Sequence, residues 1–528
     1  MKVLISDKMD ERCVEILEGN DEITVDFKTG LSPQELLEII DNYEALIVRS
    51  GTQVTEDVLN AGTKLKVVGR AGAGIDNIDV DAATRSGIIV MNTPGGNSVS
   101  TAEHSFAMIM ALARNIPQGC ATLKNGLWER SRLTGVELRG KTLGILGLGK
   151  VGSEVALRAN IFGMKVIAYD PMVSSEFAES YGVSLAEPED IYRQSDFITV
   201  HLPLISQTKH MISENQILSC KKGVFFVNCA RGGIIDEKAL LRHIETGHVG
   251  GAALDVFEQE PPVDNQLVAH DRVICTPHLG ASTTEAQQSV ALQVAEQVGD
   301  VLMGKVIRNA VNTPSVEPEI YAKMRPYLEL AKRLGSLQGQ LIDGRMEKVT
   351  VQYHGDVSYP TSIMTAAVLQ GILSFVTDMP INAVNAPIFA QDRGLSVNEV
   401  RSNEHEDYAS LITVICQTDK EERLIAGTLF GKSDPRIVRF DGYKFDASSE
   451  GNMLFYINDD IPGIIGYIGT IMGEHSVNIA QMSCGRDEIG GSALTILNID
   501  GSIPENVLND VRSRDYISWA KFASVKSA

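Results

Sequence analysis

The chain has 528 residues, of which 44% are hydrophobic and 22% are charged, and its formal net charge is −21. One hydrophobic core cannot organise this length, so about three or four domains are expected. The ordinary composition excludes disorder as the default state, and the acidic balance argues against a nucleic acid or an anionic membrane as partner. An anionic substrate would therefore need a local basic pocket.

The seven cysteines are scattered, odd in number and without a C-x-x-C pair. This pattern favours reduced thiols over a disulfide framework, and no metal site is expected. The first residues predict a strand, so we expect no signal peptide, and no apolar run reaches transmembrane length. We expect a cytoplasmic protein without membrane contact.

Residues 1 to about 95 alternate short β-branched runs with helical patterns. That rhythm predicts a parallel sheet covered by helices. Arg49 and Arg70 follow two of the runs beside glycines, and Asn97 and Ser98 lie in the loop after a third. A lone arginine is more often a solvated surface charge. Since ligands collect at the carboxyl ends of parallel strands, this pair predicts an anion site with Asn97 and Ser98 as further donors.

An amphipathic helix is predicted over 101–114, and a polar connector with Trp128, Arg130 and Arg132 follows it. Exposed tryptophans are enriched at interfaces, so we expect the connector to lie between subunits.

The stretch 141–170 carries the most specific pattern in the chain. A buried strand precedes Gly147, Gly149 and Gly152, and a helix follows them, which is the context that turns three spaced glycines into a dinucleotide-binding motif. Gly147 allows the turn, Gly149 lets the backbone approach a pyrophosphate, and Gly152 lets the helix pack on the strand. Lys150 and Val151 open that helix, whose amides suit phosphate.

Asp170 ends the next strand, 18 residues after Gly152. A carboxylate there accepts hydrogen bonds from ribose hydroxyls and repels a 2′-phosphate, which predicts NAD rather than NADP. Later strand ends are expected to face the same cofactor through Leu202, Pro203, Cys229, Ala230, Arg231, Asp255, His278 and Gly280.

Arg231, Glu260 and His278 follow three strands of the predicted nucleotide domain. A histidine can gain or lose a proton near neutral pH, and a nearby carboxylate orients its ring. An arginine can bind a substrate carboxylate through two hydrogen bonds. Together they suit removal of a hydroxyl proton from a 2-hydroxy acid while hydride leaves for nicotinamide. Five other histidines are interpreted as structural or surface residues: His201, His210, His243, His248 and His270.

A long helix over 283–303 is expected to return to the first domain, which makes the nucleotide domain an insertion. Residues 318–446 mix helix and strand patterns without a catalytic constellation. The last stretch follows a βαββαβ pattern, typical of a ferredoxin-like module. There Asp460 could accept from a ligand ammonium, and Asn478 lies on the next predicted strand. An alternative is a dimerisation module that binds nothing.

Residues 1–310 resemble the D-isomer-specific 2-hydroxyacid dehydrogenases. The resemblance is carried by the motifs GLGKVG at 147–152, NCARGG at 228–233, DVFEQEP at 255–261 and PHLG at 277–280. The segments 48–50 and 69–77 and the layout of the whole chain resemble the long form of the branch that oxidises 3-phospho-D-glycerate. The match is most specific over 45–285 and loosest over 318–446.

The resemblance implies an α/β fold of four parts. A Rossmann-like doubly wound NAD domain (97–284) is inserted in a flavodoxin-like substrate domain (1–96 and 285–312). An α+β intervening domain (313–446) and a ferredoxin-like ACT domain (447–528) follow. It also implies a homo-oligomer, a dimer or a tetramer, in which Arg130 and Arg132 reach a neighbouring subunit's site.

By the same resemblance, Arg231 binds the substrate carboxylate, Glu260 supports the histidine and His278 is the acid–base. The substrate's phosphate and carboxylate ends would face Arg49, Arg70, Asn97 and Ser98. Asp460 and Asn478 match a serine-binding ACT motif, which implies L-serine as an effector. Asn458 stands where some members have tyrosine, which leaves the effector affinity open.

The expected activity is NAD-dependent oxidation of 3-phospho-D-glycerate to 3-phosphooxypyruvate. A second hypothesis is that the chain catalyses the same hydride transfer on a different acid, of the glyoxylate, 2-hydroxyglutarate or lactate type. A third is an NAD-sensing dimer without turnover, against which the joint presence of Arg231, Glu260 and His278 argues.

Overall fold

The computed structural model describes residues 1–355, 359–377, 380–402, 407–431 and 433–525. Within these ranges the strands form four main sheets. Every helix in the described part of the chain is too short or too polar to cross a bilayer.

The first sheet is parallel and lies between helices on both faces. Its elements are β1 (Lys2–Ile5), α1 (Arg12–Glu18), β2 (Thr24–Phe27), α2 (Pro33–Ile39), β3 (Ala45–Val48), α3 (Glu56–Ala61), β4 (Val67–Arg70), α4 (Val80–Arg85) and β5 (Ile89–Met91). The strand order β2-β1-β3-β4-β5 is the flavodoxin-like order that the resemblance implied.

The second sheet is also parallel. Its elements are α5 (Ser98–Arg114), α6 (Ile116–Lys124), β6 (Thr142–Leu146), α7 (Lys150–Ile161), β7 (Lys165–Tyr169), α8 (Ser175–Ser180), β8 (Ser184–Leu185), α9 (Pro188–Gln194), β9 (Phe197–Val200), α10 (Glu214–Ser219), β10 (Val224–Asn228), α11 (Glu237–Glu245), β11 (Val249–Leu254) and β12 (Val273–Cys275). The order β12-β11-β10-β9-β6-β7-β8 is that of a doubly wound sheet. Its strand order reverses between β9 and β6, which opens a crevice at their carboxyl ends.

The chain then returns to the first sheet, as predicted. Helix α12 (Thr284–Leu302) contributes Val294 and Val298 to the core of that sheet. A Cβ atom at position 69 in β4 would lie 2.7 Å from a methyl group of each valine. Only glycine at this position therefore lets helix and sheet approach so closely.

The third sheet is mixed. Its elements are α13 (Pro318–Leu341), β13 (Met346–Gly355), α14 (Thr361–Leu373), α15 (Ala386–Asp392), β14 (Ser396–Ser402), β15 (Ser410–Thr418), β16 (Glu422–Phe430), β17 (Asp434–Phe440) and β18 (Tyr443–Ser448). In the order β14-β13-β15-β16-β17-β18, only the pair β13 and β14 is parallel.

The last sheet is antiparallel and has the predicted βαββαβ succession. Its elements are β19 (Gly451–Asp459), α16 (Ile464–Glu474), β20 (Ile479–Arg486), β21 (Ser492–Ile499), α17 (Glu505–Arg512) and β22 (Ile517–Val525). The order β20-β21-β19-β22 places β20 and β22 at the edges, as in a ferredoxin-like module.

The third and fourth sheets share one hydrophobic core. Phe455 of β19 and Ala523 of β22 belong to the same buried cluster as Leu334 of α13 and Phe440 of β17. The guanidinium of Arg423 lies 5.0 Å from the ring of Phe440 and 4.5 Å from that of Trp519 in β22. Removing the last module would therefore expose the core of the one before it.

We propose the division into four domains that the sequence suggested, with the last boundary moved from 446 to Ser448 because β18 of the third sheet continues to that residue. The C-terminal half touches the first domain at the end of α4. There Asn382 Nδ2 donates to the Gly87 carbonyl at 2.7 Å, and Asn385 Nδ2 donates to the Arg85 carbonyl at 3.4 Å.

Candidate functional site

The turn after β6 has the geometry of a phosphate-binding loop. Gly147 has a φ of +97°, and a Cβ atom there would lie 2.5 Å from the His201 carbonyl oxygen. A Cβ atom at Gly152 would lie 2.1 Å from the carbonyl oxygen of Gly147. By contrast, no atom lies within 4 Å of a Cβ built at Gly149, and no side chain caps α7. The turn thus leaves room and uncapped helix amides for a pyrophosphate.

Asp170 lies directly after β7 at the rim of this turn. Its carboxylate accepts from the amides of Leu148 and Met172, each at 2.9 Å. A cavity of about 530 Å³ beside it is also lined by Glu187 and Asp190. Three carboxylates at one rim favour ribose hydroxyls and disfavour an additional phosphate.

The other residues predicted to contact the cofactor lie around the crevice. The Leu202 side chain is 3.0 Å from a Cβ built at Gly147. Lys150 Nζ donates to the Pro94 carbonyl at 3.1 Å, which joins the second sheet to the loop after β5. The remaining members are half-buried (Val151 and Ala230), buried (Cys229 and Gly280) or exposed (Pro203).

His278 and Glu260 form the hydrogen-bonded pair that the sequence suggested. Nδ1 of His278 donates to Oε2 of Glu260 at 2.7 Å, and the Phe257 amide donates to Oε1 of Glu260 at 3.1 Å. The hydrogen bond with Glu260 raises the pKa of His278, against the opposing effect of burial. Burial raises the pKa of Glu260, but the bond and charge of His278 outweigh burial and leave that pKa below its ordinary value. Because Nδ1 carries the shared proton, Nε2 remains to exchange protons with a substrate.

Asp255 supports the loop that carries His278. Its side chain is fully buried beneath the loop of His278, where the amides of Leu279 and Gly280 donate to it at 2.7 and 2.8 Å. Burial raises the pKa of Asp255, but its hydrogen bonds lower that pKa by a larger amount. The net pKa lies below the ordinary value, so the group stays ionised. The structure thus shows a loop-holding role, and the cofactor contact stays a prediction.

Arg231 joins the two parallel sheets. Its Nε donates to Oδ2 of Asp76 at 3.0 Å, and its Nη1 donates to the Ala230 carbonyl at 2.7 Å. A Cβ atom at position 74 would lie 1.8 Å from Nη2 of Arg231, so Gly74 is required for the side chain to lie there. Nη2 keeps its donors for a substrate carboxylate.

Arg49 and Arg70 lie near Arg231 and form a basic cluster with it. Burial and the positive charges of Arg231 and Arg49 lower the pKa of Arg70 to about 10, although Asp76 acts in the opposite direction. Nε of Arg70 donates to Oδ1 of Asn77 at 3.0 Å, and the Arg49 amide donates to Asp7 at 2.6 Å. Neighbouring positive charges repel one another, and an anion bound between them would relieve that repulsion. The cluster therefore suits an anionic group of a substrate.

Asn97 and Ser98 lie at the beginning of α5. Asn97 precedes the helix without capping it through its side chain, and Ser98 is buried with its amide donating to the Gly95 carbonyl at 3.2 Å. The uncapped start of this helix adds donors and a positive dipole end to the basic cluster.

The two predicted effector residues lie at opposite ends of the last sheet within one chain. The Asp460 amide donates to the Gly491 carbonyl, whereas Asn478 Nδ2 donates to Oδ2 of Asp500 at 2.7 Å. Gly491 and Asp500 flank opposite ends of β21, roughly 30 Å apart at the rise of a strand. One amino acid cannot span that length.

Sequence reasoning left out Asp76 and Asn77 as site residues. They orient Arg231 and Arg70, and their position directly after the glycines that follow β4 was the available indication. The connector after α6 also has an exposed edge: the Trp128 side chain is 78% exposed, and Arg132 pairs with Glu129 at 3.0 Å.

Comparison with known proteins shows which families this chain resembles. Residues 106–280 match the NAD-binding domain of the D-isomer-specific 2-hydroxyacid dehydrogenases, and residues 323–441 match the D-3-phosphoglycerate dehydrogenase intervening domain. The chain is 45% identical to D-3-phosphoglycerate dehydrogenase of Methanocaldococcus jannaschii over 97% of each chain. It is 44% identical to that of Bacillus subtilis, again over 97% of each.

Among solved structures, the D-lactate dehydrogenase of Aquifex aeolicus, complexed with NAD and lactic acid, matches with a TM-score of 0.53 and 27% identity. The match covers 60% of this chain and all of that one. The predicted fold class and the NAD requirement are thereby confirmed.

We predict that Asp170→Asn weakens the preference for NAD over NADP, because it removes charge from the rim and keeps one acceptor oxygen. The measurement is kcat/KM with each cofactor. Asp515→Asn, which changes an exposed carboxylate between α17 and β22, is the control and should leave the preference in place. Equal use of both cofactors by the wild type would contradict the role given to Asp170.

Proposed function

The chain belongs to the D-3-phosphoglycerate dehydrogenase family, and we propose that it oxidises 3-phospho-D-glycerate to 3-phosphooxypyruvate, the first step of L-serine biosynthesis. The observation that carries the proposal is the basic cluster of Arg49, Arg70 and Arg231 beside the His278–Glu260 pair. A 2-hydroxy acid with a second anionic group fits that combination. A lactate-type acid has no second anionic group that Arg49 and Arg70 could bind.

The roles of the side chains follow from their contacts. Arg231 holds the substrate carboxylate through Nη2 while Asp76 fixes its Nε. His278 takes the hydroxyl proton at Nε2 because Glu260 holds the opposite nitrogen. When bound, NAD supplies the ring that accepts the hydride. Arg49 and Arg70 hold the phosphate end.

The substrate assignment is tested by Arg70→Ala. Losing a charged hydrogen-bonding group costs about 1.5–3 kcal/mol, so KM for 3-phosphoglycerate should rise roughly 10- to 150-fold. KM for D-lactate should change little because D-lactate has no distal anion. NADH formation is the assay, and Arg12→Ala, which removes a surface arginine paired with Asp10 at 2.9 Å, is the control.

Two results would contradict the substrate assignment. A wild type that turns over D-lactate but not 3-phosphoglycerate would favour the second reading, a different 2-hydroxy acid. A wild type that binds NAD and turns over neither acid would favour the non-catalytic reading.

The proton-transfer assignment predicts a pH dependence. Oxidation needs neutral His278, so kcat/KM falls as the pH drops through its pKa. Glu260 raises that pKa. Glu260→Gln removes the charge, and the acidic limb of the pH profile should therefore move to lower pH. His278→Ala should lose about 10²–10⁴ in kcat at every pH. An unmoved limb in Glu260→Gln would refute the pairing.

We also propose that L-serine regulates the enzyme at a site shared between two subunits. Strand β20 is an edge of its sheet, and a two-fold axis would pair it antiparallel with its copy. Such pairing brings Asp460 of one chain toward Asn478 of the partner subunit. The start of α16 lies beside Asp460 and has no side-chain cap, which suits the serine carboxylate.

The shared site is tested by calorimetry with L-serine. Asp460→Ala and Asn478→Ala should each abolish binding, whereas Asp515→Ala, an exposed acid of the same module, should not. A hybrid dimer of the two inactive chains should regain half of the sites, because one of its two sites has both native residues. Deletion of residues 447–528 is unsuitable, since it would open the shared core.

Two outcomes would count against this regulation. A hybrid that binds no serine would contradict a site formed by Asp460 of one subunit and Asn478 of the partner subunit. Binding of serine with unchanged kinetics would leave the site and remove its regulatory function.

A further inference from the structure

His104 is a histidine that the reaction described above does not use, and it lies against the carboxylate beneath the catalytic loop. It is half-buried on α5, with its Nε2 3.1 Å from Oγ1 of Thr276 and 3.3 Å from Oδ1 of Asp255. Thr276 Oγ1 also donates to Oδ1 of Asp255 at 2.6 Å. Thr276, which follows β12, and His104 of α5 thus both lie at Oδ1 of Asp255, which follows β11.

The loop of His278 depends on that carboxylate. Asp255 accepts the amides of Leu279 and Gly280 through its side chain and the amide of His278, at 2.9 Å, through its backbone. His278 itself has a φ of +52°, a left-handed conformation that is unfavourable for a residue other than glycine. The surrounding hydrogen bonds must therefore impose it.

We propose that His104 is a positioning residue for the dehydrogenase reaction: with Thr276 it holds the Asp255 carboxylate, and Asp255 holds the loop that presents His278. The inference rests on the proposed function only in requiring His278 as the acid–base. It does not depend on which 2-hydroxy acid is oxidised. His104 acts through its neighbours, since its contacts are with Asp255 and Thr276.

A cation is the alternative occupant to weigh, because His104, Cys229 and Asp255 offer ligand atoms within 4.8 Å of one another. Both Asp255 oxygens, however, already accept hydrogen bonds from the loop. Burial raises the pKa of Cys229 to about 12, so its thiol keeps the proton that a metal ligand must lose. The cluster is therefore a hydrogen-bonded support.

The test compares two substitutions of His104. His104→Leu removes the donor and should slow the pre-steady-state formation of NADH about 10-fold, with KM for both substrates within about two-fold of wild type. His104→Gln places an amide nitrogen where Nε2 lies and should recover most of the rate. His248→Leu is the matched control, because His248 is a half-buried histidine of the same domain whose Nε2 contacts the Ile217 carbonyl at 2.9 Å.

A double-mutant cycle adds a second measurement. Thr276→Val should also slow the reaction, and the double variant should be no slower than the slower single variant, because the two side chains act on one carboxylate. The proposal is overturned if His104→Leu reacts at the wild-type rate, if His104→Gln is as slow as His104→Leu, or if the two losses add independently. Should the wild type oxidise D-lactate and not 3-phosphoglycerate, the substrate assignment fails, and the same comparison is made with D-lactate.

Discussion

The ion pair between Arg231 and Asp76 is the contact on which the arrangement of the site depends. Arg231 follows a strand of the second sheet and Asp76 follows a strand of the first, so the pair fixes the two sheets with their carboxyl ends toward each other. Gly74 makes the contact possible because any side chain there would overlap the guanidinium. The same contact occupies Nε of Arg231 and leaves Nη2 for the substrate carboxylate that we propose, so one interaction both joins the domains and orients the arginine.

Much of the catalytic half could be predicted because parallel sheets concentrate function at strand ends. Arg70 ends a strand, and Arg49, Arg231 and His278 lie within three residues after one. A short apolar run marks each of these strands in the sequence. The order of strands within the sheets was also accessible through the glycine motif and the family resemblance. The buried partners were less visible: nothing in the amphipathic pattern of α5 distinguishes His104 from a surface histidine, since its role arises from contacts more than 150 residues away in sequence.

The C-terminal half was harder to predict for three physical reasons. Strand β16 has buried residues in succession because α13 covers Ile425 on one face of the sheet and a small cluster with Leu411 and Val438 buries Ala426 on the other. It therefore lacks the alternation that marks a half-exposed strand. The shared core of the last two modules has no sequence signature, because Phe455 and Leu334 are ordinary core residues wherever they pack. The separation of Asp460 and Asn478 follows from strand register, which the sequence of one βαββαβ unit does not display.

The charge of the whole chain sharpens the argument for a built anion site. With a net charge of −21, the protein repels an anionic substrate at long range. At physiological ionic strength that repulsion is screened beyond about 8 Å, so recognition must come from groups in contact with the substrate. Burial lowers the pKa of Arg70, and the charges of Arg231 and Arg49 lower it further, which shows a local concentration of positive charge inside an acidic molecule. Asp7, Asp76 and Asn77 orient the arginine side chains or their backbone, and the charge left over is what an anionic 2-hydroxy acid would balance.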